Sequence, residues 1–419
     1  MRLRHPDGTV VHLGYGTNVL PAEDVDGLVA QAVGMGGRIR RALAEGPASG
    51  PASVPAGDQV GLGLWLPAAA AHRLAADPAG VRLVRERLAD QGVEVVTVNA
   101  FPYAAFQSEV VKRAVYLPTW GSPERRDYTL AAARVLAGLL PDDADHGSIS
   151  SLPFGWHAPW SHADQRRAEL HLAEVARGLA RIEAESGRRV VVGLEPEPGC
   201  VVETVEQAVE RLARVDREWI GVCLDLCHLA VGFDDAARAL AVLDAAGLRV
   251  VKAQPASALV VEDPADERAR AALASYAEDR FLHQVRQARP EEGRLEEDRA
   301  DRCQVAARDD LPEALAGADP LAVDAPWRVH FHVPVHADPS PPLRTGRAEL
   351  RASLAALLGG PVARVAHLEV ETYTWSVLPG GAPADDDALA AGLAAELAWV
   401  HAELVGLGLT PIPSRTPQP

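Results

Sequence analysis

The sequence predicts a parallel α/β fold, either a barrel or an open sheet covered by helices, and three observations carry that expectation. Short apolar runs alternate with helical patterns along most of the chain, the rhythm of repeated βα units. Three of these runs end in carboxylates: Val190-Val191-Val192-Gly193-Leu194-Glu195, Ile220-Gly221-Val222-Cys223-Leu224-Asp225 and Val365-Ala366-His367-Leu368-Glu369-Val370-Glu371. The C-terminal ends of parallel strands open onto a ligand crevice, and burying an acid without a partner is costly, so the three endings point to one site. Finally, 419 residues suffice for one barrel with insertions or for two ordinary domains.

Taken in order, Val10 to Asn18 reads as a first strand and loop, and Pro21-Ala22-Glu23-Asp24 opens a helical pattern to about Leu43. Residues 46–58, rich in Gly, Pro, Ala and Ser, read as a flexible loop. Val60 to Leu66 is a second strand, Ala68 to Gln91 helical, and Val93 to Asn99 a third strand. Of 20 aromatic residues, six fall between Phe101 and Tyr128, which marks either an ordered active-site loop or a satellite hydrophobic cluster.

Asp127 to Leu140 is helical, and Gly147 to Leu152 forms the fourth strand. Asp164 to Glu185 is a helix with Gly187 as its stop signal, and the fifth strand follows, ending at Glu195. Helical patterns over Val202 to Val215 and Asp234 to Ala246 bracket the sixth strand, and Leu248 to Gln254 is the seventh. There the rhythm breaks. Residues 255–327 are expected to form an inserted subdomain, with a helix near Ala265 to Ala277, a hairpin, and a solvated charge-dense stretch from Arg289 to Arg302. Val329 to His336 and Val365 to Glu371 complete nine strand candidates. A single barrel domain over 1–405 then leaves 406–419 as a disordered, proline-rich tail.

Forty-one basic against 58 acidic residues give a net charge of −17, which argues against a nucleic-acid surface and toward a small-molecule substrate. The first residues lack the apolar core of a leader, and no unbroken apolar run of about 18 residues would span a bilayer; the expectation is a cytoplasmic protein without membrane insertion. Cys200, Cys223, Cys227 and Cys303 are too irregularly spaced for a disulfide framework or a zinc knuckle. Only Lys112 and Lys252 are lysines, as if retained where arginine would not serve, although drift toward arginine accounts for the depletion equally well.

Strand alternation puts Gly193 with Glu195, Cys223 with Asp225, Lys252 with Gln254, and His367 with Glu369 and Glu371 on common faces. If those faces point into a barrel, Glu195, Asp225, Gln254 and Glu371 converge at its mouth, with Lys252 and Glu369 one layer below. Such acids repel one another unless a cation lies among them. Three carboxylates and an amide suit a hard divalent ion, Mg²⁺ or Mn²⁺; a nearby imidazole would admit Co²⁺ or Zn²⁺. The plain alternatives are that Glu195 and Asp225 cap βα loops, and that His330 and His332 are packed strand histidines.

Gly-Leu-Glu195, Cys-Leu-Asp225-Leu-Cys-His228, Lys-Ala-Gln254 and Val-Glu371-Thr, in this order on successive units, resemble the xylose-isomerase-like (β/α)8 TIM barrel superfamily of sugar isomerases and epimerases. More narrowly, Gly-Thr-Asn18, Asn-Ala-Phe-Pro-Tyr103, His-Phe-His332-Val-Pro and Glu-Thr-Tyr-Thr-Trp375-Ser-Val-Leu-Pro resemble the EboE-type metabolite-traffic proteins. The resemblance implies a metal held by Glu195, Asp225, Gln254 and Glu371, with His228 touching substrate. Gln254 stands where the superfamily usually has histidine, so His332 is a further candidate ligand, as is Glu369.

The activity implied is isomerisation or epimerisation of a sugar- or cyclitol-like secondary-metabolite precursor through an enediolate. Glu195 and Glu371 would remove and return the α-proton, and Lys252 or His228 would stabilise the oxyanion. The alternative is a barrel that binds and hands on a metabolite without turnover; either role is compatible with association with other proteins of the pathway. Cleavage of abasic DNA, raised by fold kinship, is disfavoured by the charge and by the lack of a visible extra histidine-rich ligand set.

Overall fold

A computed structural model describes residues 1–46, 59–289 and 304–413. The loop expected at 46–58 (apart from Gly46), nearly all of the charge-dense stretch and the last six residues lie outside the described residues.

The apolar runs become parallel strands because each is buried between the barrel interior and a ring of helices. After a short first strand, β1 (Arg2–Arg4), these are in chain order β2 (Val10–Gly16), β3 (Val60–Trp65), β4 (Val93–Ala100), β5 (Gly147–Ser151), β6 (Val190–Leu194), β7 (Ile220–Asp225) and β8 (Val250–Gln254). An excursion then carries β9 (Ser257–Val261), β10 (Val285–Arg289), β11 (Gln304–Arg308), β12 (Trp327–Val333) and β13 (Arg344–Thr345). The chain returns with β14 (His367–Val370) and ends, among the described residues, with β15 (Thr410–Pro411).

Strands β2 to β8 pair in sequence order, and β14 closes a parallel eight-stranded barrel by pairing with both β8 and β2. On that seam His367 lies opposite His12 and Val370 opposite Tyr15. Outside the barrel proper, β1 pairs antiparallel with β2, and β15 with β1. The described part of the tail expected to be disordered, 406–413, is therefore ordered: Thr410 and Pro411 extend the sheet.

Local signals set the helix limits. The helix His162–Ser186 starts at a capping box, Ser161 with Asp164, and stops at Gly187 in the left-handed region, φ 68°. The single helix expected from Ala68 to Gln91 is two, Ala68–Ala75 and Pro78–Asp90. Pro78 has no N–H to continue the first helix, and Asp77 caps the second by accepting from Gly80 N at 2.9 Å. The helix Asp386–Gly406 is long and apolar enough to cross a membrane by length and composition alone. Here its buried Leu393, Leu397, Val400 and Leu404 join the main core, and it packs against the helix Val25–Glu45.

The excursion folds as a second, antiparallel sheet in the order β11-β10-β12-β9-β13. β10 and β11 form the hairpin, and the helix Glu267–Ala274 covers a small core that includes Leu259, Val285, Trp327, Val329 and Phe331. The ninth strand candidate thus belongs to this sheet. Because β12 and β13 pair with β9, the excursion runs past the boundary expected at 327, to Thr345.

Candidate active site at the barrel mouth

The inward side chains of the barrel stack in polar layers where such barrels usually hold branched apolar residues. At the base, Ser148 Oγ donates to Thr97 Oγ1 at 3.0 Å, and His367 Nδ1 lies 2.8 Å from Ser148 Oγ. One layer up, Lys252 Nζ is 3.0 Å from Glu369 Oε1 and donates to Ser150 Oγ at 2.9 Å. Burial alone would lower the Lys252 pKa, but the charge and hydrogen bond of Glu369 together with the neighbouring Cys223 and Glu371 outweigh it and raise it. Gly63 makes the room: a Cβ there would fall inside the Glu369 carboxylate. Lys252 therefore lies beneath the mouth with its charge held by Glu369.

The top layer gathers the strand endings. Glu371 Oε1 accepts from Asn18 Nδ2 at 2.5 Å and from Asn99 Nδ2 at 3.0 Å, and Oε2 accepts from Gln254 Nε2. That last bond joins two of the four expected ligands to each other, and Gln254 Oε1 accepts from the Cys223 thiol at 2.7 Å. Asp225 caps the helix Leu226–Val231: Oδ1 accepts from the N–H groups of Cys227 at 2.7 Å and His228 at 3.0 Å. Its Oδ2, like Glu195 Oε2, is buried without a hydrogen-bond partner. Burial pushes the Glu195 carboxyl well above the usual range, and the charges of Glu371 and Asp225 push it further. Glu371 is raised likewise by burial, then by Asp225 and Glu369. Lys252 opposes both shifts without cancelling them.

What this layer lacks is positive charge. Unpartnered carboxylate oxygens beside mutually repelling acids are donors suited to a divalent cation, so the residues present fit the metal that the superfamily resemblance implies. Donor atoms of Glu195, Asp225 and His228 lie within 4.8 Å of one another, as do those of Asp225, Cys227 and His332.

The second sheet brings to the mouth His332, a candidate ligand from the sequence, and His330, which the sequence reading had only as a packed strand histidine. In Val329-His330-Phe331-His332-Val333, alternation sends Val329, Phe331 and Val333 into the small core, and His330 and His332 to the barrel mouth. His330 Nε2 lies 3.0 Å from His228 Nε2 and 3.2 Å from His332 Nε2, while His332 Nε2 is 4.0 Å from Asp225 Oδ2. A histidine-rich donor set is thus present, and the alternation of apolar residues with histidine was its sequence signal. Asn18 and Asn99 were also missed as clamps on Glu371, because an asparagine at a strand end reads as a turn residue.

A small pocket of about 50 Å³ adjoins these groups. Phe106, Phe281 and Tyr373 cover it, with ring centroids 4.9 to 5.2 Å apart. Phe101, Phe106 and Tyr116 from the aromatic-rich segment line it, so that segment contributes to the site. Tyr116 OH donates to Glu197 Oε1 at 2.8 Å, and burial pushes the Glu197 carboxyl up to about 8 in spite of that bond.

Residues 58–269 match the family model described as a xylose isomerase-like TIM barrel. No curated protein matches the chain. Among solved structures, a D-psicose 3-epimerase studied with D-fructose is 13% identical, with 91% of this chain and 96% of that chain covered and a TM-score of 0.43. The D-allulose 3-epimerase of Methylomonas sp. is 14% identical over 60% of this chain and 74% of that one, TM-score 0.38. The D-psicose 3-epimerase of Clostridium cellulolyticum H10 is 15% identical over 58% and 72%, TM-score 0.37. Resemblance at that level says nothing of the reaction.

Proposed function

Because this chain belongs to the xylose isomerase-like TIM barrel family, we propose that its barrel mouth is a metal-dependent site for proton transfer at a carbon beside a carbonyl, in a polyol-like substrate. The observation that carries the reading is a pair of buried acids, Glu195 and Glu371, each held above the usual carboxylate range by burial and by neighbouring acids. A carboxylate held above its ordinary range is a stronger base than a free one, which suits it to take a proton from carbon. Glu195, Asp225 and Glu371 would hold the ion, with Gln254 as amide donor. When bound, a divalent cation would polarise the substrate carbonyl and its adjacent hydroxyl.

The protein's own groups divide the remaining work. Glu195, with Oε2 free, takes the proton from carbon; Glu371, oriented by Asn18 and Asn99, returns it from the other side. His228, its Nδ1 fixed 3.0 Å from Pro196 O, presents Nε2 to the mouth. Lys252 balances charge from below through Glu369. Phe106, Phe281 and Tyr373 narrow the pocket to about 50 Å³, against the roughly 300 Å³ at which small-molecule pockets begin, so these rings would part to admit a substrate. On the motifs around Asn18, Tyr103, His332 and Trp375, we place this chemistry in EboE-type processing of a secondary-metabolite precursor, alongside other proteins of that pathway.

One observation favours a second reading. The bonds from Asn18, Asn99 and Gln254 occupy both oxygens of Glu371, as they would in a barrel that binds and hands on a metabolite without turnover. The two are separated by incubating wild type and Glu371→Gln with Mn²⁺ and a panel of ketoses and hydroxy-ketones in D₂O. Isomerisation predicts deuterium at the α-carbon with wild type, reduced at least 100-fold in the variant. Ligand-induced thermal stabilisation with no deuterium incorporation supports the binding role instead.

A further inference from the structure

One buried acid lies away from the mouth, on the helix Asp386–Gly406, which packs against β2. Glu396 is 0% exposed, on a face otherwise made of Leu393, Leu397, Val400 and Leu404. Its carboxylate accepts four hydrogen bonds. Oε1 takes Thr372 Oγ1 at 2.7 Å and Val335 N at 2.9 Å, and Oε2 takes Tyr15 OH at 2.5 Å and Trp375 Nε1 at 3.1 Å. All four donors are neutral, and burial still pushes the carboxyl up to about 7 against them. An apolar side chain would avoid that cost, so the acid calls for a role beyond packing.

Its partners show what it holds. Tyr15 lies at the seam where the barrel closes, opposite Val370 of β14. Thr372 and Trp375 belong to the segment that leaves β14 through Glu371, and Val335 to the segment that leaves β12 after His330 and His332. The two segments are also bonded to each other: His332 Nδ1 lies 2.6 Å from Glu371 O, and Thr374 Oγ1 donates to His332 O. The helix is shaped to receive them. A Cβ at Gly392, one turn before Glu396, would fall 2.4 Å from the Trp375 ring.

The bonding pattern selects a carboxyl group. Val335 N and Trp375 Nε1 can only donate, and they meet different oxygens. An amide in either orientation would turn its NH₂ onto one of them. A carboxylate accepts from both, and a protonated carboxyl keeps both bonds by giving its hydrogen to the Tyr15 oxygen, whose own hydrogen turns to Thr372 O at 3.4 Å.

We propose that Glu396 is a positioning residue for the mouth: through Thr372 and Val335 it fixes the segment carrying Glu371 against the segment that follows His332, and so aims the Glu371 carboxylate at Asn18 and Asn99. This rests on the reading of Glu371 as a working group of the mouth. Glu396 itself touches neither substrate nor ion.

The test compares Thr372→Val, which deletes one donor at nearly constant shape, with Glu396→Gln, and with Glu396→Gln combined with Trp375→Phe, which removes an N–H that the amide would oppose. Mn²⁺ affinity of the chelator-stripped full chain is read from the electron paramagnetic resonance of free Mn²⁺. Binding about 10–100-fold weaker is expected in Glu396→Gln, with a smaller loss in Thr372→Val and recovery in the double variant to the level of Trp375→Phe alone. Affinity unchanged in both Thr372→Val and Glu396→Gln overturns the proposal, since a packing role would lower only the melting temperature. The metal-free crystal structure of Thr372→Val, the mildest change, supplies a readout without ion or substrate. Glu371 displaced from Asn18 and Asn99 is expected there, and Glu371 unmoved overturns the proposal. No deuterium incorporation by wild type with any ketose would sink the isomerase reading, while that displacement would still decide the role of Glu396.

Discussion

The carboxylate of Glu371 sits among three amide donors and is still raised in pKa, because hydrogen bonds from neutral groups do not offset two neighbouring acids in a buried layer. In metal-free protein, then, one acid fewer is a gain. Glu195→Gln is expected to raise the melting temperature measured in chelator, by about 1 kcal/mol or more of stability, while abolishing turnover. A lower melting temperature would show that the acids are satisfied without a cation. Gly63 is the converse case, a position whose missing side chain houses the Glu369 carboxylate. Gly63→Ala displaces that carboxylate from Lys252 and is expected to cost about 3 kcal/mol in denaturant unfolding.

Among elements, the strands whose ends carry acids were legible because each is a short apolar run that closes on a carboxylate, and strand alternation fixes which residues share its face. β12 was legible as a strand but not as part of a second sheet. Nothing local in Trp327 to Val333 says that its partners are β9 and β10 rather than a barrel neighbour. β1 and β15 were missed because three- and two-residue strands have no period to read. The convergence of His330 and His332 on His228 depends on that long-range pairing, so the sequence offered His332 only as a substitute ligand and left His330 as a packed strand residue.

The same coupling gives the aromatic cover its rigidity. Val111 N and Lys112 N both donate to Arg280 O at 2.8 Å, tying the segment after β4 to the excursion. Removing the Phe281 ring opens this cover. Phe281→Ala is expected to cost about 3 kcal/mol and yet to speed the stripping of bound metal by chelator. An unchanged stripping rate would mean that metal reaches the mouth by another path.

Across the whole molecule, the two ends of the barrel respond differently to pH. At the N-terminal end, burial alone would raise the Glu94 carboxyl, but the hydrogen bonds and charges of His12 and Arg2 outweigh it and hold it well below its ordinary 4.5. Arg2 Nε donates to Glu94 Oε2 at 2.8 Å, and His12 Nδ1 lies 3.3 Å from Oε1. A depressed folded pKa contributes stability above the ordinary value and loses it as pH falls through the folded one. Glu94→Gln is therefore expected to cost about 3 kcal/mol at pH 7 and progressively less below pH 4.5, followed by urea unfolding across that range. A cost independent of pH would assign the loss to packing.

At the C-terminal end the clustered acids call for a cation among them, and the most direct measurement is metal content per chain, by elemental analysis of protein purified without chelator, in wild type and in Asp225→Ala. Asp225 Oδ2 is buried without a hydrogen-bond partner 4.0 Å from His332 Nε2, and the Asp225 charge raises the pKa of both Glu195 and Glu371. The account predicts bound divalent metal in wild type and its loss in the variant with the fold retained. Wild-type protein that holds no metal even after reconstitution, or a variant that holds as much as wild type, would contradict it.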